Sequence, residues 1–106
     1  MKLEIYVNGE QVQFYLDTGA EVNIVSKETF DYIGAPSLHK CDEVARMYTG
    51  QTATFPCKGR AVFKRCEHTI EDVLYVAPRG SLNLLSYPTM QSLGLYIADA
   101  EAINAI

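Results

Sequence analysis

The sequence predicts an all-β domain interrupted by two short helices. Three observations carry that expectation: period-two alternation of apolar and polar residues over Leu3–Val7 and Val12–Leu16, an Asn8-Gly9 dipeptide between them, and only two segments bearing helix start and stop signals. In the first segment Leu3, Ile5 and Val7 alternate with Glu4 and Tyr6. Asn-Gly is the strongest two-residue hairpin signal. Val12, Phe14 and Leu16 then alternate with Gln11, Gln13 and Tyr15, so the first unit reads as a β-hairpin running straight into Asp17.

After Asp17-Thr18-Gly19-Ala20 comes another apolar stretch, Val22 to Val25. Ser26 to Ile33 reads as a helix, with Ser26 as N-cap, Glu28 in the first turn and Gly34 as the stop before Ala35-Pro36. Val44 to Tyr48 and Thr52 to Cys57 are β-favouring segments around Thr49-Gly50-Gln51, a second hairpin with Gly50 at or near its tip. Gly59 to Phe63 and Thr69 to Val76 follow as strands, then a short apolar run from Leu82 to Leu85. Pro88 to Leu93 reads as the second helix, opened by proline in its first turn and ended by Gly94; Leu95 to Ala98 returns to strand. The pattern shows no internal repeat and no linker, so residues 1–106 read as a single domain.

Composition narrows the function. At 106 residues and 48% hydrophobic, the chain has apolar material for one core and too little for two. A net charge of -4 without a run of lysines or arginines offers no footprint for nucleic acid or an acidic membrane surface. No stretch approaches the roughly 18 consecutive apolar residues of a membrane span, and Met1-Lys2-Leu3-Glu4 lacks the apolar run of a signal peptide. Three cysteines, Cys41, Cys57 and Cys66, form no CxxC pair and argue against a disulfide framework, so a reducing, cytoplasmic setting is expected. His39-x-Cys41 and Cys66-x-His68 together supply the four ligands that a structural zinc takes, but spacing of one joins the side chains of each pair only where both segments are extended. The plainer reading is two surface histidines and ordinary thiols, with no metal and no cofactor.

Asp17 carries the chemistry. A carboxylate delivered on a tight glycine-containing turn between buried strands is half of a two-carboxylate hydrolytic site. Two carboxylates about 3 Å apart cannot both ionise; they share a proton, so that one activates water while the other polarises the scissile carbonyl. The chain contains one Asp-Thr-Gly. A second carboxylate would therefore have to come from another copy. On the tripeptide alone, a plain Asx-type turn between two strands is the preferred reading.

The order of the pieces goes further than the tripeptide. Leu16-Asp17-Thr18-Gly19-Ala20 after a strand, the Gly50 hairpin, Val73-Leu74-Tyr75-Val76, then Asn83-Leu84-Leu85-Ser86 and a helix closing in Leu93-Gly94-Leu95 resemble the retropepsins. These are the aspartic proteases of retroviruses and LTR retrotransposons, and the chain looks most like the Gypsy class from Lys2 to about Ile97. The resemblance implies a closed β-barrel of the acid-protease fold and a homodimer with one catalytic aspartate per subunit on its two-fold axis. It implies that Asp17 binds and activates water, that Thr18 hydrogen-bonds across the two loops, and that Gly19 admits close backbone approach. Ala20 and Leu84 would line the substrate cleft, with Tyr48, Thr49, Gly50 and Gln51 forming a flap over an extended peptide or polyprotein. One departure stands out: Leu84-Leu85 is followed by Ser86-Tyr87-Pro88, so the supporting arginine of the retroviral pattern is absent from its place. The alternative to a protease is a retropepsin-like domain retained by a host protein as a dimerisation or binding module with little or no catalysis.

Overall fold

The computed structural model describes residues 2–17, 19–34, 38–46 and 52–95, and of 38–46 and 52–56 the backbone alone. Its elements in chain order are β1 (Lys2–Val7), β2 (Glu10–Asp17), β3 (Asn23–Ser26), α1 (Lys27–Ile33), β4 (Leu38–Arg46), β5 (Thr52–Arg65), β6 (His68–Ala77), β7 (Leu84–Ser86) and α2 (Tyr87–Ser92).

The Asn8-Gly9 turn forms as its residue types require. Asn8 and Gly9 take φ of 52° and 82°, the left-handed pair that matches the twist of the two strands it joins, and β1 pairs antiparallel with β2 from Lys2↔Tyr15 to Val7↔Glu10. The sheet order is β1-β2-β7-β3-β6-β5-β4, and a further antiparallel pairing of β1 with β5 closes six strands into a barrel with β4 attached outside. Alternation then does what period two dictates. Ile5, Val7, Val12 and Phe14 point inward and join Phe63, Leu74, Leu85, Met90, Leu93 and Leu95 in one core. Phe14 and Phe63 sit at its centre, both fully buried, with ring centroids 6.3 Å apart.

Three element boundaries differ from expectation. The segments expected at Thr52–Cys57 and Gly59–Phe63 are one strand, β5, because Gly59 does not break it: it pairs with Leu38 on one side and Leu74 on the other. β5 is thereby shared, its first half pairing with β4 and its second with β6. β4 begins at Leu38 rather than Val44, since an edge strand tolerates the polar residues His39, Lys40, Asp42 and Glu43 that hid it in the sequence. Finally, α2 starts at Tyr87, with Ser86 as its N-cap, and Leu95 lies outside any strand; Tyr96 to Ala98 lie outside the described residues.

The expectation of no internal repeat is overturned. β2-loop-β3-α1 and β6-loop-β7-α2 are two copies of one unit, sixty positions apart, with identities at Tyr15/Tyr75, Asn23/Asn83, Ser26/Ser86, Thr29/Thr89 and Gly34/Gly94. The registers agree residue for residue: Tyr15↔Leu84, Leu16↔Leu85 and Asp17↔Ser86 in one parallel pair, Tyr75↔Ile24, Val76↔Val25 and Ala77↔Ser26 in the other. β3 and β7 run antiparallel through Ile24↔Leu84, so the two units are related by a local two-fold between them. The same cap opens both helices: Ser26 Oγ accepts from Thr29 N at 3.2 Å, and Ser86 Oγ from Thr89 N at 3.4 Å.

Candidate active site

Asp17 is the last residue of β2 and is only 7% exposed. Three constraints bring it there. Val12 and Phe14 face the core and so place Asp17 on the opposite face of the strand, parallel pairing holds it beside Ser86, and the chain then turns back with Ala20 N donating to Asp17 O at 3.1 Å. Asp17 Oδ1 accepts from Gly19 N at 3.1 Å, an Asx-type bond across the turn. Asp17 Oδ2 is buried and has no hydrogen-bond partner among the described residues. A buried carboxylate oxygen without a partner costs on the order of 1–3 kcal/mol or more, so it is not a neutral feature of a fold.

The internal repeat supplies a control for that oxygen. The position equivalent to Asp17 in the second unit is Ala77, equally buried at 7%, with Pro78-Arg79-Gly80 where the first unit has Thr18-Gly19-Ala20. Ala77 completes the same parallel pairing without a carboxylate. The scaffold therefore does not need the acid at this place, and a purely structural Asx turn leaves Oδ2 unexplained.

The residue behind the loop is Ser86. It pairs with Asp17 through β2 and β7, and its N–H donates at 2.9 Å to Oδ1 of Asn23, the residue at the far end of the same loop. Both ends of the Asp17–Asn23 loop are thus pinched at one point. Asn23 is 2% exposed; its Nδ2 donates to Val73 O at 3.1 Å and to Thr89 Oγ1 at 2.8 Å. Thr89 Oγ1 in turn donates to Asp72 Oδ2 at 2.9 Å. Neutral side chains and one carboxylate thus brace the segment where the retroviral pattern has an arginine. From sequence, Ser86 stands out only as part of the segment after Leu85, and Asn23, Asp72 and Thr89 carry no assigned role. The signal that would have found three of them is the repeated spacing Asn-x-x-Ser-x-x-Thr.

Of the remaining expected site residues, Gly19 lies in the turn, bonded to Asp17, and Ala20 is buried at 2%. Leu84 is half-buried against a small apolar cluster of Ile24, Tyr75 and Ala77. A cavity of about 190 Å³ flanks the loop, bounded by Glu21, Val22, Asn23, Asp72 and Thr89. Thr18, Tyr48, Thr49, Gly50 and Gln51 lie outside the described residues. The strands that bracket the expected flap are present, since β4 and β5 pair up to Arg46↔Thr52.

The zinc alternative meets an obstacle at one of its pairs. Cys66 sits in the β5–β6 turn with φ of 53°, not on an extended strand, so Cys66-x-His68 does not share a strand face. The His68 ring packs instead against Gly94. Among the described residues no helix is long and apolar enough to cross a membrane.

Compared with known proteins, the chain is similar in structure to the EIAV protease solved in complex with the inhibitor HBY-793. The TM-score is 0.77 at 15% identity, over 92% of this chain and 90% of that one. The fold is retropepsin-like. No family model matches the sequence, and no curated protein matches it. At this identity the likeness speaks for the retropepsin-like barrel and leaves the chemistry to the residues.

Proposed function

We propose that this chain is one subunit of a homodimeric aspartic endopeptidase whose active site pairs Asp17 with Asp17 of a second copy. The observation that carries the reading is the buried Oδ2 of Asp17, without a hydrogen-bond partner among the described residues, at a position where the repeated unit has alanine. A second carboxylate sharing a proton with it satisfies that oxygen and creates the acid and base together. Water held between them loses a proton to the ionised carboxylate as its oxygen attacks the scissile carbonyl carbon, while the protonated carboxyl donates to the carbonyl oxygen. Collapse of the tetrahedral species breaks the C–N bond, the amine leaves with a proton, and the dyad returns to its singly protonated state. The retropepsin-like fold supports an extended peptide as substrate, added as a strand beneath the β4–β5 hairpin. The resemblance to LTR-retrotransposon enzymes, Gypsy-type above all, makes a retroelement polyprotein the substrate of choice.

The test is cleavage of a peptide library from about pH 4 to about pH 7, with and without a statine-type transition-state mimic. Cleavage blocked by the mimic and abolished by Asp17→Asn is the expected result. No cleavage and no mimic binding anywhere in that range would sink the proposal. A binding module predicts instead a partner whose affinity Asp17→Asn leaves unchanged.

A further inference from the structure

We infer that Asn23, Thr89 and Asp72 form a positioning device for Asp17, a one-way hydrogen-bond chain that locks Ser86 against the loop carrying the carboxylate. The inference rests on the reading of Asp17 as the catalytic group. Its direction follows from donor counting. Asp72 Oδ2 can only accept, so the single hydroxyl proton of Thr89 is committed to it. Thr89 Oγ1 is then left to accept, from Asn23 Nδ2 at 2.8 Å and from the Ser86 hydroxyl at 3.0 Å. The second amide proton of Asn23 goes to Val73 O, which leaves Asn23 Oδ1 facing the Ser86 N–H. Turning the Asn23 amide over would set its NH₂ against the Ser86 N–H and its oxygen against Val73 O. The backbone groups Val73 O and Ser86 N–H orient the Asn23 amide, and the carboxylate fixes the Thr89 hydroxyl so that it accepts from Asn23 and ties that amide to α2, beside the residue paired with Asp17.

The internal repeat shows that this is more than scaffold. In the unit beside Ala77, Asn83 Oδ1 accepts from Ser26 N at 3.0 Å and Ser26 Oγ lies 3.0 Å from Thr29 Oγ1, so the basic clasp is the same. There the Asn83 amide donates to Gln13 O, and the position equivalent to Asp72 is Val12, buried in the core. The carboxylate link and the amide-to-threonine bond are added only in the copy that stands next to Asp17. A cross-link that served folding alone would be expected in both.

The test compares Thr89→Val, which keeps the shape and removes the hydroxyl, with Thr89→Ser, which keeps the hydroxyl. Thr89→Val is expected to lower kcat roughly five- to tenfold with KM and the dimer dissociation constant within about twofold, and Thr89→Ser to recover the rate. Amide exchange by NMR adds a readout independent of catalysis. In Thr89→Val the Gly19 N–H, held by Asp17 Oδ1, should exchange faster, while the Gly80 N–H, held by Glu28 in the other unit, should not. Should Thr89→Val fail to fold, Asp72→Asn, at a half-buried site, carries the same two expectations. Unchanged kcat and unchanged Gly19 exchange overturn the inference, as does equal acceleration at Gly19 and Gly80. A wild-type protein that cleaves nothing overturns the protease reading, whereas Gly19-selective loss of protection in that protein still supports the positioning chain.

Discussion

Asn23 and Asn83 hold each other's strands: Asn23 Oδ1 accepts from the N–H of Ser86, three residues after Asn83, and Asn83 Oδ1 accepts from the N–H of Ser26, three residues after Asn23. This reciprocal clasp spans the antiparallel β3–β7 contact and stands on the local two-fold of the chain. It brings the ends of two distant parts of the sequence into one buried centre. It also shows that the barrel uses one supersecondary unit twice, with a carboxylate at the end of the first strand in one copy only.

That asymmetry predicts how Asp17 variants behave. Asp17→Asn should reduce peptide cleavage on the order of 10³-fold or more, because the shared proton is lost. Asp17→Ala should be equally inactive yet fold, its stability unchanged or raised by about 1 kcal/mol, because Ala77 already completes the equivalent pairing and a buried oxygen without a partner among the described residues is removed. Activity assays paired with thermal unfolding decide the matter; a variant that unfolds would assign Asp17 a structural task.

Activity should also depend on protein concentration. If the second carboxylate comes from another copy, specific activity falls on dilution through the dimer dissociation constant, and sedimentation velocity follows the same midpoint. Constant specific activity with a monomeric sedimentation coefficient would contradict a two-chain site.

The core makes a separate prediction. Phe14→Ala empties the centre of the barrel, where the ring is fully buried against Phe63, and should cost about 3–5 kcal/mol in denaturant unfolding. By contrast Arg60→Ala removes an ion pair with Glu71 whose side chains are 53% and 60% exposed, and should change stability by less than about 1 kcal/mol.

Gly94 is closely approached by the ring of His68. It takes φ of 78°, and a Cβ there would lie 2.5 Å from Cε1 of His68. Gly94→Ala should therefore destabilise by about 1–3 kcal/mol, partly relieved when His68 is also shortened to alanine. A purely conformational cost would show no such relief in the double variant.

On α1 the hydrogen bond from Lys27 Nζ to Asp31, helped by the charges of Lys27 and Arg79, holds the Asp31 carboxyl below the usual carboxylate range. Because the folded-state value is lowered, the contribution of the pair is complete above the ordinary carboxylate range and fades as pH falls through the lowered value. An NMR titration of Asp31 should show the low midpoint, and Lys27→Met should move it upward. An unmoved midpoint would assign the shift elsewhere.

Much of this was legible in the residues, and the misses have physical causes. Asn8-Gly9 announced the first hairpin because only a left-handed pair fits that turn, and Ser26 with Gly34 bounded α1 for reasons internal to the helix. Gly59 misled, because glycine is punctuation only where the neighbouring strands do not hold it, and here Leu38 and Leu74 do. The repeat stayed hidden because most matched positions share only apolar character, as in Phe14/Leu74 and Val25/Leu85, and the polar identities mark hydrogen bonds between distant segments. Asp17 could be found locally; the bracing of its loop by Asp72 and Thr89 could not, since it exists only when β6 and α2 meet.

The barrel closes over a seam only two residue pairs wide, Tyr6↔Lys64 and Val7↔Phe63, reinforced where Asn8 exchanges bonds with both backbone groups of Val62. These contacts join segments more than fifty residues apart, so their loop-closure entropy is met late, after the local hairpins have formed. Closure of the barrel thus rests on a short contact between the first hairpin and β5, while β2 is held separately by its pairing with β7. Asn8, known in the sequence only as a turn former, acts there as the latch.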